Sequence, residues 1–178
     1  MAGAAQPDLR VFLAEGRAWL ALGATRWPCA VGRGGIRRRK REGDGATPVG
    51  RFALRGLYFR PDRGFVPETG LPLMPITPAS GWCDAADDPS YNRPVPLPWR
   101  SSAERLWRDD DLYDLLVPLG YNDSPPRPGA GSAIFLHAAR PGLTPTEGCI
   151  ALRQPDLRQL LRRLDKGWHL TVEPADPC

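Results

Sequence analysis

Residues 131–152 read GSAIFLHAARPGLTPTEGCIAL, and the rest of the chain is organised around them. The run Ala133-Ile134-Phe135-Leu136 has the length and composition of a buried strand, and His137 closes it. Pro141, Gly142 and Pro145 keep the following loop irregular. That loop turns through Glu147-Gly148 and delivers Cys149 at the head of a second apolar run, Ile150-Ala151-Leu152. Two strands joined by such a hairpin-like loop would bring His137 beside Cys149. A thiol needs that neighbour, because only about 3% of a free cysteine is thiolate at neutral pH. An imidazole that takes its proton leaves a thiolate–imidazolium pair, the usual activated form of a cysteine nucleophile. Gly148 lacks a Cβ, so a substrate carbonyl can approach the backbone N–H groups of Gly148 and Cys149, which suit an oxyanion hole. Singly, a Cys among apolar residues or a lone His is an ordinary core residue. Together, with Gly before the Cys, they read as a catalytic pair.

The segment Thr146-Glu147-Gly148-Cys149-Ile150-Ala151-Leu152, with His137 upstream, resembles the active-site signature of the L,D-transpeptidase (YkuD-type) catalytic domain. Thr47-Pro48-Val49-Gly50-Arg51-Phe52 resembles a second family feature, the Thr-Pro-x-Gly-x-Phe segment before a core strand. The resemblance implies Cys149 as nucleophile and His137 as proton acceptor and donor, with no cofactor. Three departures bear on substrate choice. Glu147 stands where the family usually has His. Ala151 stands where an Arg that shapes the donor site is common, with Arg153 as a candidate substitute. The twelve positions from His137 to Cys149 are fewer than is typical.

A chain of 178 residues is one domain by its length, assigned to residues 9–174 with tails at 1–8 and 175–178. Its 21 Pro and 19 Gly argue for short strands and many turns. Six Trp and well-spread apolar runs argue against disorder. A net charge of +4 does not indicate a nucleic-acid binder. Cys29, Cys83, Cys149 and Cys178 show no C-x-x-C spacing, and His137 and His169 are the only imidazoles, so no metal site is expected. No stretch approaches the ~20 apolar residues of a membrane span. The N-terminus has neither the basic start nor the apolar stretch of a secretory signal. Taken literally that is cytosolic, whereas the resemblance implies the cell envelope or periplasm.

Leu9 to Leu22 reads as a hairpin turning at Glu15-Gly16. The basic run Arg37–Arg41 reads as a solvated turn, since like charges repel and prefer water. A strand is expected from Arg51 to Leu57. Prolines make residues 60–100 irregular, and Trp82 and Tyr91 are candidates to line a cleft there. Cys83 has no nearby His to activate it. A short helix is expected within Ser101–Leu116, and Leu115–Gly120 reads as a core strand. Asn122 and Asp123 form a turn from which a carboxylate reaches a substrate amine, or simply shape the loop. Pro155 opens a helix whose Leu157, Leu160, Leu161 and Leu164 make one apolar face, ended by Gly167, with a last strand over 168–172.

The expected fold is mainly β: a single-domain mixed sandwich or curved sheet of the L,D-transpeptidase catalytic type, with one or two short helices. The resemblance implies attack by Cys149 on a peptidoglycan stem tetrapeptide and transfer of the acyl group to an amine, for cell-wall cross-linking or remodelling. Thr146, Glu147, Arg153, Asn122, Asp123, Trp82 and Tyr91 are the candidate substrate contacts. A carboxypeptidase or amidase using the same Cys–His pair, and a non-enzymatic wall-binding module, are the alternatives.

Overall fold

The computed structural model describes residues 9–64 and 66–175. The tail at 1–8 lies outside them, as do residues 176–178. Alternation of Leu9 and Val11 with Arg10 and Phe12 builds the expected hairpin. β1 (Leu9–Ala14) pairs antiparallel with β2 (Arg17–Leu22), and Glu15 and Gly16 turn between them with φ of 53° and 72°. β3 (Thr25–Ala30) continues the meander. Two short strands follow, β4 (Ile36–Arg37) and β5 (Thr47–Pro48), paired in parallel. The single strand expected over 51–57 is two, β6 (Gly50–Ala53) and β7 (Leu57–Phe59), divided where Gly56 takes a φ of 130°.

The described residues of the proline-rich region form no helix, and they are more ordered than their composition suggests. β8 (Leu73–Pro75) pairs with β7, while β9 (Ser80–Cys83) and β10 (Pro94–Pro96) form a small sheet with β11 (Ala103–Arg105). The helix expected within Ser101–Leu116 does not form. Ala103–Arg105 pairs with β9 instead, and Leu106 and Leu112 are buried from turns, so tertiary pairing overrides local propensity there.

β12 (Leu115–Pro118) is the expected core strand. β13 (Phe135–Ala138) pairs with it antiparallel, and β14 (Ile150–Leu152) pairs with β13 in parallel, Leu136 opposite Ile150 and His137 opposite Ala151. The hairpin-like connection is therefore corrected to a parallel return through a 3₁₀ turn at Pro141–Leu143. The helix α1 (Gln154–Leu161) opens with Pro155 in its first turn and buries Leu157, Leu160 and Leu161. β15 (His169–Val172) closes the chain against β1 and β6.

The main sheet runs β6-β15-β1-β2-β3-β14-β13-β12-β7-β8. It curls: Leu54, just after β6, bridges Leu119, just after β12, and Gly120 N–H donates to Ala53 O at 2.8 Å. Inside the curl lies the larger core, which contains Val11, Leu20, Leu136, Ile150 and the leucines of α1. β12, β13 and β14 are buried along their whole length, as strands covered on both faces are. Their outer face carries Leu116, Phe135 and Cys149, covered by a smaller core of Ile76, Trp82, Leu106, Leu112 and Tyr113. The nucleophile candidate thus sits on the outer face of the most buried part of the sheet.

Candidate active site

Side chains alternate along a strand, so Cys149 and Ala151 share a face with Phe135 and His137 of the neighbouring strand. His137 pairs with Ala151, which makes Cys149 its diagonal neighbour. Strand spacing and rise put their Cα atoms about 8 Å apart. The small side chain of Ala151 leaves that gap open to the imidazole. All three residues line one cavity of about 390 Å³.

His137 is buried, and its Nδ1 lies 2.7 Å from the carbonyl oxygen of Ala138. A carbonyl only accepts, so Nδ1 carries the proton and Nε2 keeps its lone pair. Burial lowers the imidazole pKa to about 4, against the carbonyl, which favours the protonated ring. The Tyr113 ring packs edge-on against His137 with centroids 5.2 Å apart, and its hydroxyl donates to Glu104 at 2.5 Å. Cys149 Sγ donates to Ala133 O and accepts from Phe135 N–H, each at 3.3 Å. Burial, aided by the charge of Glu104, raises its thiol to about 12, while the Phe135 N–H and the Lys40 charge pull the other way. The resting pair is therefore neutral thiol and neutral imidazole, and burial disfavours the ion pair until a substrate draws the proton across.

The turn that presents Cys149 is held by two threonine hydroxyls. Thr146 Oγ1 donates to Cys149 O at 2.6 Å and accepts from Gly148 N–H at 3.2 Å. Thr47, fully buried, donates to Gly148 O at 2.9 Å and accepts from Gly32 N–H at 2.8 Å. The two sequence motifs thus meet through one hydroxyl. Gly148 has a φ of 129°, and a Cβ there would stand 2.8 Å from Ala46 O. Gly32 is equally obligatory, since a Cβ on it would meet Gly45 O at 2.2 Å.

Of the other sequence candidates, Glu147 stays at the cavity and the rest lie elsewhere. Glu147 is at the cavity mouth, exposed, with both carboxylate oxygens taken by Arg33 Nε at 2.8 and 2.9 Å, a bond that holds its carboxyl below the usual range. Arg153 precedes α1 and pairs with Asp156 at 2.6 Å, outside the cavity lining. Asp123 pairs with Arg55 at 2.7 Å, and Asn122 bridges the carbonyls of Arg127 and Gly131, so both shape a loop away from the cavity. Trp82 and Tyr91 stand behind the wall. Trp82 packs edge-on to Phe135 and donates to Asn92 Oδ1, which also accepts Ala133 N–H. Tyr91 donates to Glu42 and accepts Gly131 N–H. They support the residues that touch Cys149 and do not line the cleft: Trp82 is packed in the smaller core, and Tyr91 is buried with its hydroxyl engaged by Glu42 and Gly131. His169 lies in β15, away from the cavity.

The structure adds lining residues that sequence reasoning missed, Lys40, Glu104 and Tyr113, and places Asp84 of the proline-rich region beside them. Asp84 Oδ1 is buried without a hydrogen-bond partner, and burial raises the Glu104 carboxyl. Lys40 was hidden in a run of five cations. Glu104 and Tyr113 come from a segment expected to be helical, where neither stood out.

The family model for the L,D-transpeptidase catalytic domain, YkuD, matches residues 8–172. No curated protein matches the chain in sequence. Among solved structures, that of Bdellovibrio bacteriovorus Bd1075 is similar with a TM-score of 0.51 and 13% identity, over 98% of this chain and 50% of that one. Mycobacterium tuberculosis L,D-transpeptidase 1 aligns with a TM-score of 0.41 and 10% identity, over 94% of this chain and 63% of that one. The chain spans about half the length of the first and less than two thirds of the second.

Proposed function

This chain belongs to the L,D-transpeptidase catalytic domain (YkuD) family, and on that premise we propose that it is a cysteine-dependent L,D-transpeptidase acting on peptidoglycan stem peptides in the cell envelope. The observation that carries the reading is the pairing of His137 and Cys149 as diagonal neighbours on one face of adjoining parallel strands, both lining one cavity.

The proton on Cys149 Sγ passes to His137 Nε2 as sulfur adds to the carbonyl carbon of the third stem residue. Coupling the two events avoids a free thiolate, which burial makes costly. The tetrahedral intermediate collapses, the departing amine takes the proton from His137, and the acyl group remains on sulfur. An incoming amine reverses the sequence. Asp84 and Glu104 line the same cavity and offer that amine hydrogen-bond acceptors. The second imidazole of the family signature has no counterpart in this account, because Glu147 is committed to Arg33.

The test is product analysis with a disaccharide-tetrapeptide donor, with and without an added amine acceptor. Mass spectrometry should find the cross-linked or amine-exchanged product with the acceptor present and none with Cys149→Ala. A product that is only the hydrolysed tripeptide, acceptor or not, would replace transfer by carboxypeptidase action.

A further inference from the structure

Within the basic run, Arg37, Arg38, Arg39 and Arg41 are exposed, and Lys40 alone turns inward, its side chain 3% exposed. Its stem crosses Gly131, where a Cβ would come within 2.9 Å of Lys40 Cε. Its Nζ ends 3.5 Å from where a Cβ on Gly148 would stand. Two glycines therefore leave a channel through which an ammonium reaches the residue before the nucleophile. Nζ donates to Asp44 Oδ1 at 2.8 Å and to Arg41 O at 3.3 Å, which leaves one of its three protons for the cavity. Asp44 does not cancel the charge outright. It also accepts the N–H groups of Arg41 and Ala46, at 2.7 and 2.9 Å, so its charge is shared among three donors. The other carboxylates at this end are committed: Glu42 accepts from Tyr91 and Ser132, and Glu147 from Arg33.

The backbone half of the oxyanion site is incomplete. Gly148 N–H is already donating to Thr146 Oγ1, which leaves Cys149 N–H. Stabilising a tetrahedral oxyanion in a buried site calls for a second donor. We propose that Lys40 is that donor and a catalytic residue, its ammonium hydrogen-bonding the oxyanion formed when Cys149 adds to an acyl carbon. The inference rests on Cys149 being the nucleophile. In the step, the Sγ–C bond forms as the Sγ proton moves to His137, and the carbonyl π pair becomes the oxyanion lone pair held by Lys40 and Cys149 N–H. Collapse returns that pair and breaks the bond to the leaving group, which departs with the proton from His137 where it is an amine. No oxidation or reduction is involved. The charge-assisted bond strengthens only as negative charge develops, so it acts on the rate more than on binding.

The experiment needs no natural substrate. Acylation of Cys149 by p-nitrophenyl acetate passes through a tetrahedral oxyanion, whereas alkylation by iodoacetamide does not. Both rates are measured for the wild type and Lys40→Met, with Cys149→Ala as the blank for Cys29, Cys83 and Cys178. Loss of one oxyanion donor should slow acylation about 100-fold and leave alkylation within about threefold. Lys40→Gln keeps a bond to Asp44 without the charge, should behave the same way, and serves if the Met variant fails to fold. Equal effects on both reagents, or on neither, would overturn the proposal, as would a wild-type Cys149 that the ester does not acylate. The muropeptide assay is separate, so failure of the transpeptidase reading and failure of this one are distinguishable.

Discussion

Replacing Thr47 by Val keeps the shape of a fully buried side chain and deletes one oxygen. That oxygen makes two buried hydrogen bonds, accepting from Gly32 N–H at 2.8 Å and donating to Gly148 O at 2.9 Å. Valine can make neither, and water has no access, so a buried N–H and a buried C=O lose their partners together. Each such orphan costs about 1–3 kcal/mol, so Thr47→Val should destabilise the fold by about 2–6 kcal/mol. For a domain of this size that is a fall in Tm of about 5–20 °C. Thr47→Ser keeps both bonds and loses one methyl group, about 1 kcal/mol. Urea unfolding followed by tryptophan fluorescence gives both numbers. The Val variant should also react more slowly at Cys149, because the Gly148 carbonyl no longer fixes the turn. A Val variant as stable as wild type to within 0.5 kcal/mol would refute the claim that this hydroxyl joins the two motifs, and a Ser variant as damaged as Val would refute the hydrogen-bond explanation.

Three further outcomes follow from the site. His137 titrates near 4 when folded and near 6.5 when unfolded, so stability falls as pH drops through that window, by on the order of 3 kcal/mol in all. Urea melts at pH 7 and pH 4.5 should lose more stability for wild type than for His137→Asn; equal losses would contradict the buried neutral imidazole. The Cys149 thiol is raised to about 12, so its alkylation by iodoacetamide should still be climbing above pH 9, and a plateau near pH 8.5 would indicate an ordinary thiol. Ala151→Leu puts a bulky side chain in the gap between His137 and Cys149 and should slow Cys149 acylation at least tenfold with circular dichroism unchanged, at a packing cost of about 1–3 kcal/mol. Unchanged acylation would mean that the imidazole does not cross Ala151.

Much of this architecture is legible in the residues because local rules suffice for it. The β1–β2 hairpin has its period of two and a turn at Glu15-Gly16, and α1 has Pro155 at its start and leucines at helical spacing. The run after Cys149 is a strand, and the run before His137 becomes one only from Phe135, continuing through His137 to Ala138, because Ala133 takes a φ of 53°. Where tertiary pairing decides, the sequence is mute. Strands of three residues such as Pro94–Pro96 and Ala103–Arg105 are too short to carry a period, and they exist because β9 pairs with them on both sides. The parallel sense of β13 and β14 depends on the loop passing through Pro141–Leu143, which composition does not fix. Lys40 differs from its four exposed neighbours only because Gly131 and Gly148, far along the chain, leave space for it. Trp82 and Tyr91 have the chemistry of cleft-lining residues, but Trp82 packs in the smaller core and Tyr91 is buried against Glu42 and Gly131.

The most direct measurement is the intact mass of the protein after mixing with a disaccharide-tetrapeptide muropeptide, beside Cys149→Ala. A covalent adduct equal to the donor less its terminal D-alanine should be present in the wild type and absent from the variant. An adduct that survives the substitution, or a wild-type protein that turns over the donor without passing through one, would contradict a thioacyl-enzyme at Cys149.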